Sequence, residues 1–168
     1  YAGFTPRPGR GHRTFTGSTR IVCPPRRRAH SARCCMTLLV IRHASPSAPH
    51  PQLPAQLSGH RVLCSDCASL SEVRQCLCQP QARSADWVLL DVGAADEAQW
   101  QAEAGALQAA LERLPAQYIE LQAPSEPGLE ARLRLQHGPA AVVVDQRSQQ
   151  AGYPLSLAIV GRRLAQEG

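Results

Sequence analysis

The sequence predicts an α/β domain built on a five-stranded parallel sheet covered on both faces. Short apolar runs bounded by turn signals recur through residues 36–168, and they alternate with stretches compatible with helix. Such runs read as strands buried on both faces, and strand–helix alternation places them side by side in a parallel sheet. The clearest run, Trp87-Val88-Leu89-Leu90-Asp91, lies within residues 86–96 and is followed by a turn of small residues. Ligands of parallel sheets sit just past the carboxyl ends of the strands, so residues 91–96 are expected to form part of a site floor.

Taken in order, residues 1–35 are rich in Arg, Pro and Gly without sustained periodicity, and the chain's one Met is Met36. Residues 1–35 are therefore expected to be a disordered tail outside the native domain, with Met36 as the true start. An Arg-rich transit peptide is the rival reading. Thr37-Leu38-Leu39-Val40-Ile41 is the first strand and residues 42–47 its exit loop. Pro46, Pro49, Pro51 and Pro54 leave room for at most a helical turn or two over residues 54–57. Arg61-Val62-Leu63-Cys64 is a weaker second strand. Ser69 or Ser71 caps a short helix carrying Glu72 in its first turn, and Pro80 stops it. After the third strand, the Ala-rich residues 97–114 form a long helix ended by Pro115. Residues 117–122 are the fourth strand, 129–135 a helical turn or two, and 139–145 the fifth strand. A closing helix spans 152–166, with Leu155, Ile159 and Leu164 among its apolar positions.

Charge is distributed unevenly. Residues 1–35 carry eight Arg and no acid, whereas residues 36–168 carry ten Arg against thirteen acids, a net of −3. The basic character belongs to the tail, so composition gives the folded part no nucleic-acid role. There is no Lys, which excludes Schiff-base lysines and phosphate-loop lysines. Seven Cys without an evident secretory signal favour free thiols in a reducing compartment, and a cytoplasmic location is expected. No stretch approaches the roughly 18 apolar residues of a membrane helix, so no membrane partner is expected.

Cys64-x-x-Cys67 and Cys76-x-Cys78 invite a zinc reading, but knuckle ligands sit on loops. Here Cys64 falls on a strand, and Cys76 and Cys78 point to different faces of a helix. Buried or half-buried free thiols are the preferred reading, with no metal and no cofactor; a redox pair at Cys64-x-x-Cys67 is the weaker one. His43 and His60 are expected in loops and His137 just before the fifth strand, none beside a recognisable nucleophile. Arg42-His43 places a cation at the predicted site edge.

Read in order, four segments resemble the type II 3-dehydroquinate dehydratases. Met36-Thr-Leu-Leu-Val-Ile-Arg-His-Ala-Ser-Pro-Ser resembles an apolar strand followed by Gly-Pro-Asn-Leu-Asn. Val88-Leu-Leu-Asp-Val-Gly-Ala-Ala is similar to a strand ending in Asn-Pro-Gly-Ala-Tyr. Tyr118-Ile-Glu-Leu-Gln resembles Val-Glu-Val-His. Pro139-Ala-Ala-Val-Val-Val followed by Gly152-Tyr-Pro-Leu-Ser-Leu-Ala resembles the closing strand and Gly-Tyr-x-Leu-Ala-Leu helix. The resemblance spans residues 36–168. It implies a flavodoxin-like three-layer sandwich, a homo-oligomer (a dodecamer in the family), and a shikimate-pathway hydro-lyase converting 3-dehydroquinate to 3-dehydroshikimate and water. Its implied ligand is a small cyclic acid.

That reaction needs a base of lowered pKa, an Arg that lowers it, and a group that stabilises an enolate. The family's flap carries an Arg and a Tyr base, and residues 47–59 are too short for it and contain neither. Asp91 stands where the family has the Asn beside the enolate, and Gln122 where it has the His acid. Ala95, Asp96, Glu97 and Ala98 replace Tyr-Thr-His-Thr, and Pro124-Ser125 replaces a Ser-Asn of the carboxylate site. The resemblance thus gives Asp91, Gly93, Gln122 and Arg132 as substrate-binding positions, with Asp91 and Gln122 as degenerate catalytic equivalents. The expectation is a dehydratase-like protein that has lost its acid–base groups. The alternative is a non-catalytic flavodoxin-like binding or regulatory domain.

Overall fold

In the computed structural model the described residues are 37–44, 49–93, 95–144 and 152–167. The expected tail, Met36, the exit-loop residues Ser45, Pro46 and Ser47, and Ala94 lie outside them. Eleven elements follow one another: β1 (Thr37–His43), β2 (Gln56–Leu57), β3 (His60–Cys67), α1 (Leu70–Cys78), α2 (Pro80–Ser84), β4 (Trp87–Asp91), α3 (Glu97–Glu112), β5 (Gln117–Gln122), α4 (Leu129–Arg132), β6 (Ala141–Val144) and α5 (Gly152–Glu167). No helix among the described residues is long and apolar enough to cross a membrane.

The sheet has six strands in the order β2-β3-β1-β4-β5-β6, and all neighbours are parallel except β2 and β3. The expected count of five is therefore corrected to five parallel strands plus a two-residue antiparallel edge. The residues expected as a helical turn instead make a hairpin: Gln56 faces Arg61 and Leu57 faces His60 across Ser58-Gly59. Both turn residues have positive φ, 51° and 82°, as a two-residue hairpin loop requires. The second strand also runs on to Cys67, because Ser65, Asp66 and Cys67 pair with Ile41, Arg42 and His43. Without β2, the order of the parallel strands is the flavodoxin-like one, with β1 at the point where the winding reverses.

Side-chain alternation divides the interior into two layers. Leu39, Ile41, Val88, Leu90 and Tyr118 face α1 and α3, where Val73, Leu77, Trp100, Leu107 and Leu111 meet them. Leu38, Val40, Trp87, Leu89, Ile119 and Leu121 face α5, which contributes Tyr153, Leu157, Val160 and Leu164. That row recurs at helical spacing, whereas Leu155, expected among the apolar positions, points outward and is 55% exposed. Leu53 and Leu57 pack against the α5 layer, so the segment before β3 covers part of that sheet face.

Caps and clamps set the boundaries. Ser69 Oγ accepts from the Glu72 amide at the start of α1, and Asp96 accepts from the Gln99 amide at the start of α3. Gln99 Oε1 in turn accepts from the Leu70 amide, tying the two helix starts together. At the other end of the sheet, Thr37 N donates to Asp86 Oδ2 at 2.7 Å and Asp86 N donates to Thr37 O at 3.0 Å, which aligns β1 with β4.

β4 is buried at every position, and Leu89 is fully buried at the centre of the α5 layer. Leu89→Ala should therefore lower unfolding stability by about 2–5 kcal/mol, the range for a truncated core leucine. Urea denaturation measures it, and a loss under about 1 kcal/mol would contradict this packing.

Candidate functional site

β1 and β4 end at the reversal point, and alternation sends their last residues to different layers. Arg42 and Asp91 are register partners on the α5 side, following Val40 and Leu89. Arg42 is 6% exposed: Nε donates to Asp66 Oδ1 at 2.7 Å and Nη1 to the Pro49 carbonyl at 2.7 Å. His50 Nδ1 lies 2.8 Å from Asp66 Oδ2 and 3.4 Å from Arg42 Nη2. One ring nitrogen cannot both donate to the carboxylate and accept from the guanidinium, and the shorter contact identifies it as donor to Asp66. The Arg42 hydrogen bond holds the Asp66 carboxyl below its ordinary value despite partial burial.

Beside this pair, Tyr153 at the start of α5 donates its hydroxyl to Asp91 Oδ2 at 2.6 Å, and the Gly93 amide donates to Asp91 Oδ1 at 3.4 Å. Burial first, and the Asp91 carboxylate second, push the Tyr153 phenol far above its ordinary value. A phenol so placed is a hydrogen-bond donor and cannot serve as a base near neutral pH.

The opposite layer gathers the other residues expected from the sequence. Gly93, Gln122 and Arg132 line one cavity of about 10 Å³, with Trp100, Glu120 and Glu126 among its walls, room for a single water at most. A shallower groove of about 330 Å³ opens next to it over Trp100, Ala104 and Arg132. Arg132 lies over the Trp100 ring, 4.7 Å from its centroid. Its Nη1 is 2.9 Å from Glu97 Oε2, and its Nη2 is 3.9 Å from Glu126 Oε2. Gln122 Nε2 donates to the Glu126 carbonyl at 2.6 Å. Gly128 permits this close approach, since a Cβ there would meet Gln122 Oε1 at 2.8 Å.

Three of the four expected positions thus converge; Asp91 is reached by the Gly93 amide but is separated from Gln122 and Arg132 by the sheet. It is the register partner of Leu121, so its side chain shares a layer with Leu121 and faces away from Gln122. The expected acidic floor is likewise distributed: Asp91 accepts from Tyr153, Asp96 caps α3, and Glu97 pairs with Arg132. Ala95 is buried in the α1/α3 layer. His43 and His60, expected in loops, are the last residue of β1 and the first of β3. The buried Nδ1 of each has no hydrogen-bond partner among the described residues. No group of three or more His, Cys, Asp or Glu among the described residues is arranged to hold a metal ion.

Sequence reasoning missed two residues of this region. Tyr153 leads the buried row of α5, a signal present in the spacing to Leu157, Val160 and Leu164. Glu120 is buried within β5, where Oε1 accepts from the Leu129 amide at 2.7 Å and so holds the start of α4. No protein-family model matches this chain, and no curated protein matches it.

Burial raises the Glu120 carboxyl above its ordinary value, and the Leu129 amide only partly opposes the shift. The folded state therefore holds this proton more tightly than the unfolded chain does. The corresponding stability is fully present below the unfolded value and is lost as pH rises through the folded one. Glu120→Gln keeps an acceptor for Leu129 and removes the titration. The variant should match or exceed the parent at neutral pH, and its stability should fall less between acidic and neutral pH. Urea midpoints across that range test this; a variant with the parent's full pH slope would contradict it.

Proposed function

We propose that residues 36–168 form a type II dehydroquinase-like domain that has lost dehydratase chemistry and acts by binding a small cyclic acid. The flavodoxin-like strand order supports the architecture that the sequence resemblance implies. The observation that carries the loss of chemistry is the hydrogen bond from Tyr153 to Asp91. Removing a proton next to a carbonyl requires a base of lowered pKa, and this phenol is shifted the other way. An enolate also requires positive or donor groups at its oxygen, whereas the Asp91 carboxyl accepts from Tyr153 and from the Gly93 amide. Gln122 has no titratable proton to give a leaving hydroxide, and its amide is held by the Glu126 carbonyl.

Binding has better support. Arg132 is 16% exposed, already fixed against Trp100, and its nearest partner Glu97 is 69% exposed. A ligand carboxylate can replace a solvent-exposed Glu97 at little cost, because such surface pairs contribute about 0–1 kcal/mol.

Two measurements on the full chain check the proposal. 3-Dehydroquinate should give no 3-dehydroshikimate, and titration should show binding that Arg132→Ala weakens about tenfold, the loss of one charge-assisted contact. Turnover by the parent that disappears in Asp91→Ala would overturn the loss of catalysis. Absence of binding would favour a flavodoxin-like regulatory domain unrelated to this substrate.

A further inference from the structure

The cysteines that no part of this reading uses are arranged differently from what their spacing suggests. Cys64 and Cys67 are three apart on a strand and so face opposite layers. Cys64 is exposed beside Asp66, with Sγ 3.9 Å from Asp66 Oδ1. Cys67 is buried in the α1/α3 layer, and its sulfur neighbour is Cys76 of α1, with Sγ to Sγ at 3.6 Å. Cys78, the other described thiol, is exposed on a different side of α1 from Cys76.

We propose that Cys67 and Cys76 are a redox modification site, a dithiol that a hydroperoxide converts to a disulfide linking the end of β3 to α1. Two sulfurs in contact at 3.6 Å need to close to about 2.05 Å, a movement shared by a strand end and one side chain of a nine-residue helix. The two thiols differ in the way a two-step oxidation requires. Cys76 is half-buried, the more accessible of the two to a small oxidant. Cys67 is 1% exposed, and burial and its neighbour push its thiol up to about 12, so it is protected from direct attack.

In the first step the Cys76 thiolate attacks one peroxide oxygen. An S–O bond forms, the O–O bond breaks, and hydroxide (or alkoxide) leaves, giving a sulfenic acid. In the second, the Cys67 sulfur displaces that hydroxyl. The S–S bond forms, the S–O bond breaks, and water departs with the Cys67 proton. The peroxide receives two electrons, one from each sulfur. The fixed contact makes the second step intramolecular, which favours it over further oxidation of Cys76. Ala44 N donates to Cys67 O and Leu70 N to Gln99 at the β3–α1 junction, so the start of α1 is already held there and the new bond would fasten its last turn to the end of β3.

Peptide mapping of the full chain tests this. Trypsin cleaves after Arg74, which puts Cys67 on residues 62–74 and Cys76 on residues 75–83. After hydrogen peroxide and alkylation, these two peptides should appear joined, at the expense of most of the free forms, and should separate on treatment with dithiothreitol. The joined pair should persist in Cys64→Ser/Cys78→Ser, whose changes lie at exposed positions, and vanish in Cys76→Ser. Linkage that survives Cys76→Ser, linkage to Cys23, Cys34 or Cys35 instead, or only sulfinic acid at Cys76 would each overturn the assignment.

Discussion

Tyr153 donates to Asp91 across 2.6 Å, joining the last residue of the central strand to the first turn of α5 at the point where the sheet winding reverses. A carboxylate 1% exposed requires partners, and the phenol and the Gly93 amide are two of them. Arg42, the register partner of Asp91 in β1, is balanced by Asp66. α5 is thereby seated by a polar contact at its start and by Leu157, Val160 and Leu164 along its length.

This arrangement determines what the strand ends can do. In a sheet of this order the crevice beside β1 is the natural ligand position, yet on the α5 side it is occupied by the protein's own charges and hydroxyl. On the opposite side Arg132 is likewise balanced by Glu97 and Glu126, but the groove over Trp100 opens to solvent and one partner is exposed. In the proposed function, recognition is confined to that layer and proceeds by exchange of carboxylates on a positioned guanidinium.

Much of this was legible in the residues. β4 and β5 were readable from their apolar runs, and α3 and α5 from helix-favouring composition and apolar spacing. β2 was not, because two residues without apolar alternation become a strand only through the positive φ values of Ser58 and Gly59. The site divided along the same line. Gln122 and Arg132, expected at one site, do line one cavity, but placing Asp91 with them ignored alternation, since Asp91 follows Leu89 to one face while Gln122 follows Glu120 to the other. Contacts distant in sequence left no local mark: Arg42 with Asp66, Asp91 with Tyr153, and Cys67 with Cys76 in place of the nearer Cys64.

The claim on which the functional account stands is that Tyr153 is a buried donor to Asp91 and not a base. Phenolate absorbance recorded against pH, as the difference between the parent and Tyr153→Phe, isolates this one hydroxyl. No ionisation of Tyr153 is expected at any pH where the protein remains folded, with Tyr118, raised to about 12, equally silent near neutrality. A phenolate at Tyr153 forming near pH 7 would contradict it and restore a candidate base to the site.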